Sequence, residues 1–367
     1  MFCFGFTGDN LYIACWLKPV FRVFFRKTSK KHISMKAIIP VAGMGSRLRP
    51  HTHTQPKALV PVAGKAILGH IIDRLRQAGV EEFVFIIGYL GDKIEAYVKR
   101  LYPDLKAWFV VQEPREGIAH ALWVARDYFR HDDSMVIMLG DTIVDVDLQK
   151  LLQSPNSVLA VKKVTTPSLF GVAEADESGV ITKVVEKPRI PKSNFALVGL
   201  YKINDPEKLV QALEFIIKSE LRTQNEFQLT DALMQLIKQG EKMTIQRVDN
   251  WFDCGRKESL LEANAILLNR PDFAGNSSQA NYPNAIIIPP VSIGQNCNIS
   301  NSIIGPNVAI GENSHIHHSI ISDSIIGSYS EISHGVLHHS IMGSDASFKG
   351  LSHSLNIGDN TEINFSL

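Results

Sequence analysis

The chain has 367 residues, more than one hydrophobic core usually spans, so length alone predicts two domains. Hydrophobic residues make up 45% and charged residues 20%, the balance of an ordinary globular protein, and a net charge of +1 argues against a nucleic-acid partner gripped by a basic face. The four cysteines, Cys3, Cys15, Cys254 and Cys297, form neither a metal spacing nor a disulfide framework, so a reducing, cytoplasmic setting is expected.

Residues 1–34 differ in character from the rest of the chain. Residues 1–25 are rich in aromatic side chains and residues 22–31 are basic. A secretory leader carries its positive charge before the apolar run, not after it. Asp9 and Lys18 interrupt any span of about 20 apolar residues, so no membrane crossing is expected. A basic amphipathic anchor is one reading. The simpler one is an extension outside the folded core, with Met35 opening the first domain.

From residue 35 to about 270, apolar runs alternate with helical periodicities. Ala37, Ile38, Ile39, Pro40 and Val41 read as a buried strand, and Ile67, Leu68, Ile71, Ile72 and Leu75 recur at helical spacing. Between them lies a long loop that carries Ala42, Gly43, Gly45, Ser46, Arg47 and Lys57. In open α/β sheets this is where phosphates bind. Gly43 and Gly45 permit a tight turn with N–H groups near an anion, and Arg47 and Lys57 add fixed positive charge. The loop lacks the Gly-Lys-Ser/Thr of a Walker loop, and Leu48 stands where a dinucleotide fingerprint has its third glycine.

Further strands are predicted at 83–87, 107–111 and 135–139, the last ending at Gly140-Asp141, with helices at 92–101 and 117–129. Such alternation predicts a mainly parallel sheet covered on both faces. Residues 157–202 hold short strand-like runs, 158–164, 170–175 and 180–185, expected to form a partly antiparallel insertion that walls a substrate site. Helices come next at about 206–219 and 230–239.

Composition changes after Arg270. Residues 271–284, rich in Asn, Ser, Gly and Pro, read as a linker. Beyond it Ile293-Gly294, Ile310-Gly311, Ile326-Gly327, Met342-Gly343 and Ile357-Gly358 recur about every sixteen residues. Ile299, Ile304, Ile316, Ile321, Ile332, Leu337, Phe348 and Ile363 fall between them, five or six positions apart. This hexapeptide pattern predicts a parallel β-helix of about five coils over residues 285–367. Seven histidines lie there: His315, His317, His318, His334, His338, His339 and His353. Positions outside the apolar rows of a solenoid face solvent, so these read as surface residues rather than as a metal or acyltransfer site.

The stretch Gly43-Met44-Gly45-Ser46-Arg47-Leu48, followed by Pro56-Lys57, resembles the signature of the sugar-1-phosphate nucleotidylyltransferases. Ser46 replaces the family's Thr and keeps its hydroxyl. Five further segments are similar to the same family: Gln112 to Ala121; Leu139-Gly140-Asp141; Trp251-Phe252-Asp253-Cys254-Gly255; Gly171-Val172-Ala173 with Glu186-Lys187-Pro188; and Val198-Gly199-Leu200-Tyr201 with Asn225 to Asp231. The resemblance implies a Rossmann-like, mixed, mostly parallel α/β nucleotidyltransferase domain over residues 35–270, and a left-handed form of the β-helix behind it.

It also implies roles. Ala42, Gly43, Gly45, Ser46, Gln112 and Gly117 would meet the nucleotide. The Gln112 amide would read the N3–H and O4 edge of uracil or thymine, and Gly117 would let the base lie against the backbone. Gly171, Glu186, Lys187, Val198, Gly199 and Tyr201 would meet the sugar phosphate: Glu186 accepting from sugar hydroxyls, Lys187 pairing with phosphate, Gly199 giving the sugar room. Asp141 and Asp253 would share one Mg²⁺, a hard ion that takes carboxylates with phosphate oxygens and water. Arg47 would hold the departing pyrophosphate and Lys57 the transferring phosphoryl group.

The implied activity moves a nucleotidyl group from dTTP or UTP to a sugar 1-phosphate, glucose 1-phosphate foremost, by positioning and charge stabilisation. The Gly-x-x-His-Ala form at residues 117–121 and the Glu-x-x-Leu-Thr-Asp form at residues 226–231 look like the uridylyl branch. Thymidylyl enzymes carry an Arg seven positions before that Asp, where this chain has Gln224. Two other classes stand beside this one. One is a non-catalytic subunit that senses nucleotide sugars, against which Arg47, Lys57, Asp141 and Asp253 argue. The other is a bifunctional nucleotidyl- and acyltransferase, for which the tail is short. The expected partners are the two substrates and further copies of the chain, joined through the β-helix, with no nucleic acid and no membrane.

Overall fold

The computed structural model describes residues 35–270 and 282–351, together with 357, 358 and 361. The expectations for residues 1–34, for most of the 271–284 linker, and for His353 and Ile363 lie outside the described residues.

Strand β1 (Lys36–Pro40) leads through the long loop, which coils into three short 3₁₀ turns, to a hairpin of β2 (Pro61–Val62) and β3 (Lys65–Ala66). Then come α1 (Ile67–Gln77), β4 (Glu82–Ile87), α2 (Gly91–Leu101), β5 (Lys106–Val111), α3 (Ile118–Val124) and β6 (Met135–Met138). Helix α3 stops short of the expected residue 129. The Arg126 guanidinium donates to the Trp123 carbonyl at 2.8 Å and lies over the Trp123 ring, taking an acceptor that the next helical turn would use. The chain continues through β7 (Thr142–Asp145), α4 (Leu148–Leu152), β8 (Ser157–Lys163), β9 (Gly171–Ala175), β10 (Ile181–Glu186) and β11 (Phe195–Ile203). It closes with α5 (Pro206–Lys218), α6 (Leu229–Lys238), β12 (Met243–Arg247), β13 (Asn250–Asp253) and α7 (Lys257–Leu268).

The main sheet is mixed. β6, β1, β4 and β5 run parallel in that order, and β11 joins β6 antiparallel. There the sheet forks. The start of β11 pairs with β9 and its end with β6, while β8 lines the opposite edge along its length. The register of β11 shifts between Leu197 and Tyr201, and Gly199 sits in that shift with φ +85°. Alternate residues of β1 face opposite cores: Ala37 and Ile39 join the layer under α1, α2 and α7, and Ile38 joins that under α3, α5 and α6. Both faces are covered, as the near-continuous apolar runs required.

Beyond residue 285 the chain makes a parallel β-helix of three four-stranded sheets. Inward-facing Ile299, Ile304, Ile310, Ile316, Ile321, Ile326 and Ile332 form its own core. Buried serines stitch the coils: the Ser302, Ser319 and Ser324 hydroxyls accept from the backbone N–H of Ser319, Gly335 and Ser340, each at 3.1 Å. A glycine row runs alongside. A Cβ on Gly294, Gly311 or Gly327 would stand 2.4 Å from a backbone nitrogen of the following coil.

Helix α7 joins the two parts. It packs on β2 and β13 and also on the solenoid strand Val308–Ile310, which leaves little of its circumference polar. The fully buried Asn264 accepts from Ala63 N–H and donates to the Asn307 carbonyl, both at 2.9 Å. Among the described residues no helix is long and apolar enough to cross a membrane.

Candidate active site

β1 has β4 on one side and β6 on the other, so the connections leave its C-terminal end in opposite directions and a crevice opens there. The ends of β1 and β6 approach closely: Gly140 N–H donates to the Pro40 carbonyl at 3.2 Å, and a Cβ on Gly140 would meet Val41 at 2.1 Å. The crevice is a cleft of about 560 Å³ lined by Ala42, Gly43, Gly45, Ser46, Arg47, Lys57, Gln112, Gly117 and Asp141 among others. Eight of the sequence-predicted groups therefore meet at one sheet edge with Asp141. Nothing lies within 4 Å of a Cβ placed on Gly43, so its backbone faces open space. Gly45 differs: with φ +62° it folds the loop onto Lys57, whose Cβ would lie 2.9 Å from an added methyl.

Four charges converge at the cleft. Lys57 Nζ lies 2.5 Å from Asp141 Oδ2 and 3.8 Å from Asp253 Oδ1, and Arg47 stands 3.9 Å from Asp253. Asp253 does not stand in the main sheet: it ends β13, which pairs with β7 in a separate two-stranded ribbon. A backbone bond from Cys254 N–H to the Asp141 carbonyl, 3.0 Å, brings the ribbon to the sheet and both carboxylates to one place. Burial pushes the Asp141 carboxyl up. The Lys57 ammonium, through charge and hydrogen bond, and the Arg47 guanidinium outweigh it and hold the group below the usual carboxylate range. Burial pushes the Cys254 thiol well up, with the Asp141 charge adding to it, so that sulfur stays protonated. The donor set suits a hard divalent cation: two carboxylates face one point, and the ammonium between them already occupies a position of positive charge.

Sequence reading missed Gly255. A Cβ there would come within 2.9 Å of Arg47 and Asp253 and 3.0 Å of Lys57, so a side chain at this position would have to displace these charged tips.

Gln112 is buried, and its orientation is fixed by the protein. Its amide nitrogen donates to the Gly117 carbonyl at 2.9 Å and lies 3.3 Å from His120 Nδ1. A carbonyl can only accept, so the nitrogen must face it. Burial, outweighing the attraction of Glu116, lowers the His120 pKa and keeps that ring neutral, with Nδ1 free to accept. The amide oxygen alone is left for a ligand, not both ends of the amide as expected. Gly117 also answers to a packing demand of the fold. With φ +107° it sits against residue 227, and a Cβ would meet the Phe227 carbonyl oxygen at 2.5 Å.

The residues expected to meet the sugar phosphate form a second cluster. Glu186 accepts from the Thr230 hydroxyl at 3.2 Å, and a Cβ on Gly171 would lie 3.1 Å from the Glu186 carboxylate. Burial pushes Glu186 up despite the Lys187 ammonium 3.7 Å away. Lys187 holds a left-handed backbone, φ 37°, and donates to Gln224 Oε1 at 3.4 Å. Tyr201 is buried in β11; burial pushes its hydroxyl up, and the charges of Glu186 and Asp141 add to this. Val198 is buried as well, in the opposite core layer. An added Cβ on Gly199 would meet Leu139 at 2.9 Å and Thr142 at 3.1 Å. Thr230 and Gln224 were visible in the sequence, but their partners Glu186 and Lys187 lie 44 and 37 positions away.

Residues 36–270 match the family model for nucleotidyl transferases. The chain belongs to that family. It is 36% identical over 236 residues to the bifunctional protein GlmU of Methanocaldococcus jannaschii, covering 64% of this chain and 55% of that one. It is 31% identical over 243 residues to a glucose-1-phosphate thymidylyltransferase of Streptomyces griseus, covering 64% and 66%. A solved structure of a putative glucose-1-phosphate thymidylyltransferase from Bacillus anthracis superposes with a TM-score of 0.55 at 30% identity, over 63% of this chain and 94% of that one. The chain spans between 55% and 66% of the curated relatives it matches first.

Proposed function

We propose that this nucleotidyl transferase moves a uridylyl or thymidylyl group from UTP or dTTP to glucose 1-phosphate, giving a nucleotide sugar and pyrophosphate. The observation that carries the reading is the meeting of Arg47, Lys57, Asp141 and Asp253 beside the locked amide of Gln112. The amide oxygen suits the N3–H donor of uracil or thymine. Cytosine and adenine offer a lone pair at the matching ring nitrogen and would be repelled.

The sugar phosphate oxygen attacks the α-phosphorus in line, and pyrophosphate leaves on the far side. Lys187 holds the nucleophile, Lys57 neutralises the transferring phosphoryl group, and Arg47, whose side chain is 57% exposed, reaches the departing pyrophosphate. Ala42, Gly43, Gly45 and Ser46 bring loop backbone to the phosphates, and Glu186 orients the sugar hydroxyls. Asp141 and Asp253 would hold Mg²⁺, whose charge when bound offsets that of the phosphate oxygens.

Pyrophosphate release measured for UTP, dTTP, CTP, ATP and GTP against glucose-, N-acetylglucosamine-, mannose- and galactose-1-phosphate tests this. Turnover should be highest with UTP or dTTP and glucose 1-phosphate. Equal or faster turnover with ATP or GTP would refute the base reading.

A homo-oligomer through the β-helix belongs to the same proposal. Ile286, Ile303, Ile320 and Val336 align in successive coils and point outward, with Val336 76% exposed. A second copy presenting the same row is the occupant assigned to it. Ile320→Lys with Val336→Lys should lower the mass seen in light scattering, and an unchanged mass would overturn this part.

A further inference from the structure

Away from the cleft, three metal-ligating side chains meet on an outer corner of the β-helix. Asp323 comes directly after the strand Ile320–Ser322, and His338 and His339 stand one coil later, at the end of the strand Val336–His338. Asp323 and His339 hold equivalent left-handed corners, φ 45° and 51°, so the coil repeat stacks one above the other. One ligand atom from each of the three residues lies within 4.8 Å of the others. His338 Nε2 is 3.1 Å from His339 Nδ1, and His338 Nδ1 is 3.5 Å from Asp323 Oδ2.

The surrounding groups orient these ligands. Asn307, on the corner of the preceding coil, donates to Asp323 Oδ1 at 2.8 Å and leaves Oδ2 turned toward His338. The Ser322 hydroxyl lies 2.9 Å from His338 Nδ1, which favours Nε2 as the ligating nitrogen. A metal–nitrogen bond of about 2.0–2.1 Å in tetrahedral geometry separates two ligands by roughly 3.3 Å, close to the spacing of the two imidazoles. Two imidazoles and one carboxylate suit zinc and its neighbours, whereas magnesium prefers an all-oxygen set.

We propose that Asp323, His338 and His339 bind one transition-metal ion of the zinc class, with water completing its coordination, and that the ion clips two successive coils of the solenoid together. The site lies outside the nucleotidyl-transfer cleft and does not depend on that reading. In a stacked repeat each coil is held only by its neighbours, so a cross-coil clip stabilises the coils on either side of it.

The test uses the full-length, untagged chain, stripped of metal with a chelator and dialysed. Zn²⁺ is titrated by calorimetry, and thermal melts are run with and without it. Asp323→Asn and the pair His338→Gln with His339→Asn are compared with the wild type. Asparagine already occupies left-handed corners at Asn284, Asn301 and Asn307, so both corner replacements are compatible with the coil. One ion per chain is expected, with affinity reduced at least tenfold in each variant. Zn²⁺ should raise the melting temperature of the wild type only, and nucleotidyl transfer in Mg²⁺ buffer should be unchanged throughout. Absent binding, or the same affinity and stoichiometry in the wild type and the paired variant, would overturn the proposal. Melts without metal show whether the variants are folded.

Discussion

In the cleft domain Lys57 meets Asp141 across 84 sequence positions, and Asn264 meets Ala63 across 201. In the β-helix the buried serines reach the next coil, sixteen or seventeen positions on. Both parts are built on parallel strands, yet they distribute dependence differently. The cleft exists because distant segments arrive together, so one substitution there disconnects several. A solenoid substitution is felt mainly in its own coil and the coils on either side.

The sharpest test of that difference is the carboxylate pair. On the proposed reading each carboxylate helps hold the Mg²⁺ whose charge offsets that of the phosphates, worth several kcal/mol, so Asp141→Asn and Asp253→Asn should each lower turnover by roughly a hundredfold or more. The double variant should be little worse than the worse single one in pyrophosphate release, since on that reading both act on one ion. Multiplicative losses would mean that the long-range meeting of the two has no functional consequence.

His70 tests long-range dependence through pH. It lines a second cavity, of about 410 Å³, with Asp73, Arg74 and Arg270, and hydrogen-bonds through Nε2 to the Val62 carbonyl at 2.9 Å. Burial, only partly opposed by that carbonyl, pushes its pKa down from 6.5 to about 4. The unfolded chain therefore binds a proton that the folded chain refuses. Its stabilising contribution is complete above pH 6.5 and is lost as pH falls toward 4, by on the order of 3 kcal/mol at most. In thermal melts across that window the difference between the wild type and His70→Gln should narrow as pH falls; a constant difference would count against it.

Asn264→Leu comes next. It leaves the Ala63 N–H and the Asn307 carbonyl without their buried partner, at a cost of about 2 kcal/mol or more. Denaturant midpoints should fall while turnover at 25 °C persists. Gln112→Ala should lower kcat/KM for UTP and dTTP by about tenfold and shrink the preference over ATP, the size of one lost hydrogen bond. The smallest effect belongs to the solenoid: Ser319→Ala removes one hydroxyl link and should cost about 1 kcal/mol without touching turnover. A larger loss than Asn264→Leu would reverse the contrast between the two parts.

Periodicity explains what could be read in advance. The strands from β1 to β6 are near-continuous apolar runs and the long helices between them bury every third and fourth residue, and both patterns are local to the sequence. The isoleucine-glycine repeat is equally local. The ribbon of β7 and β13 was not legible, because each strand has four residues and finds its partner more than a hundred positions away. Helix α7 was missed because two surfaces cover it and leave no polar stripe to reveal its period. At the site, residue types were readable but reasons were not. Gly117, Gly199 and Gly255 look alike in the sequence, yet each answers to a different distant neighbour: Phe227, Leu139 and the Arg47–Lys57 charges.

The glycine row of the solenoid has a consequence for how the tail can change. A Cβ on Gly294, Gly311 or Gly327 has only 2.4 Å before it meets the next coil, so the tail is stricter about length than about lettering. Exchanging one outward side chain for another leaves the frame intact. Inserting or deleting a single residue moves a side chain into the row at that coil and misaligns every coil after it. Viable variation in this tail should therefore arrive as whole turns, sixteen or seventeen residues gained or lost at a time.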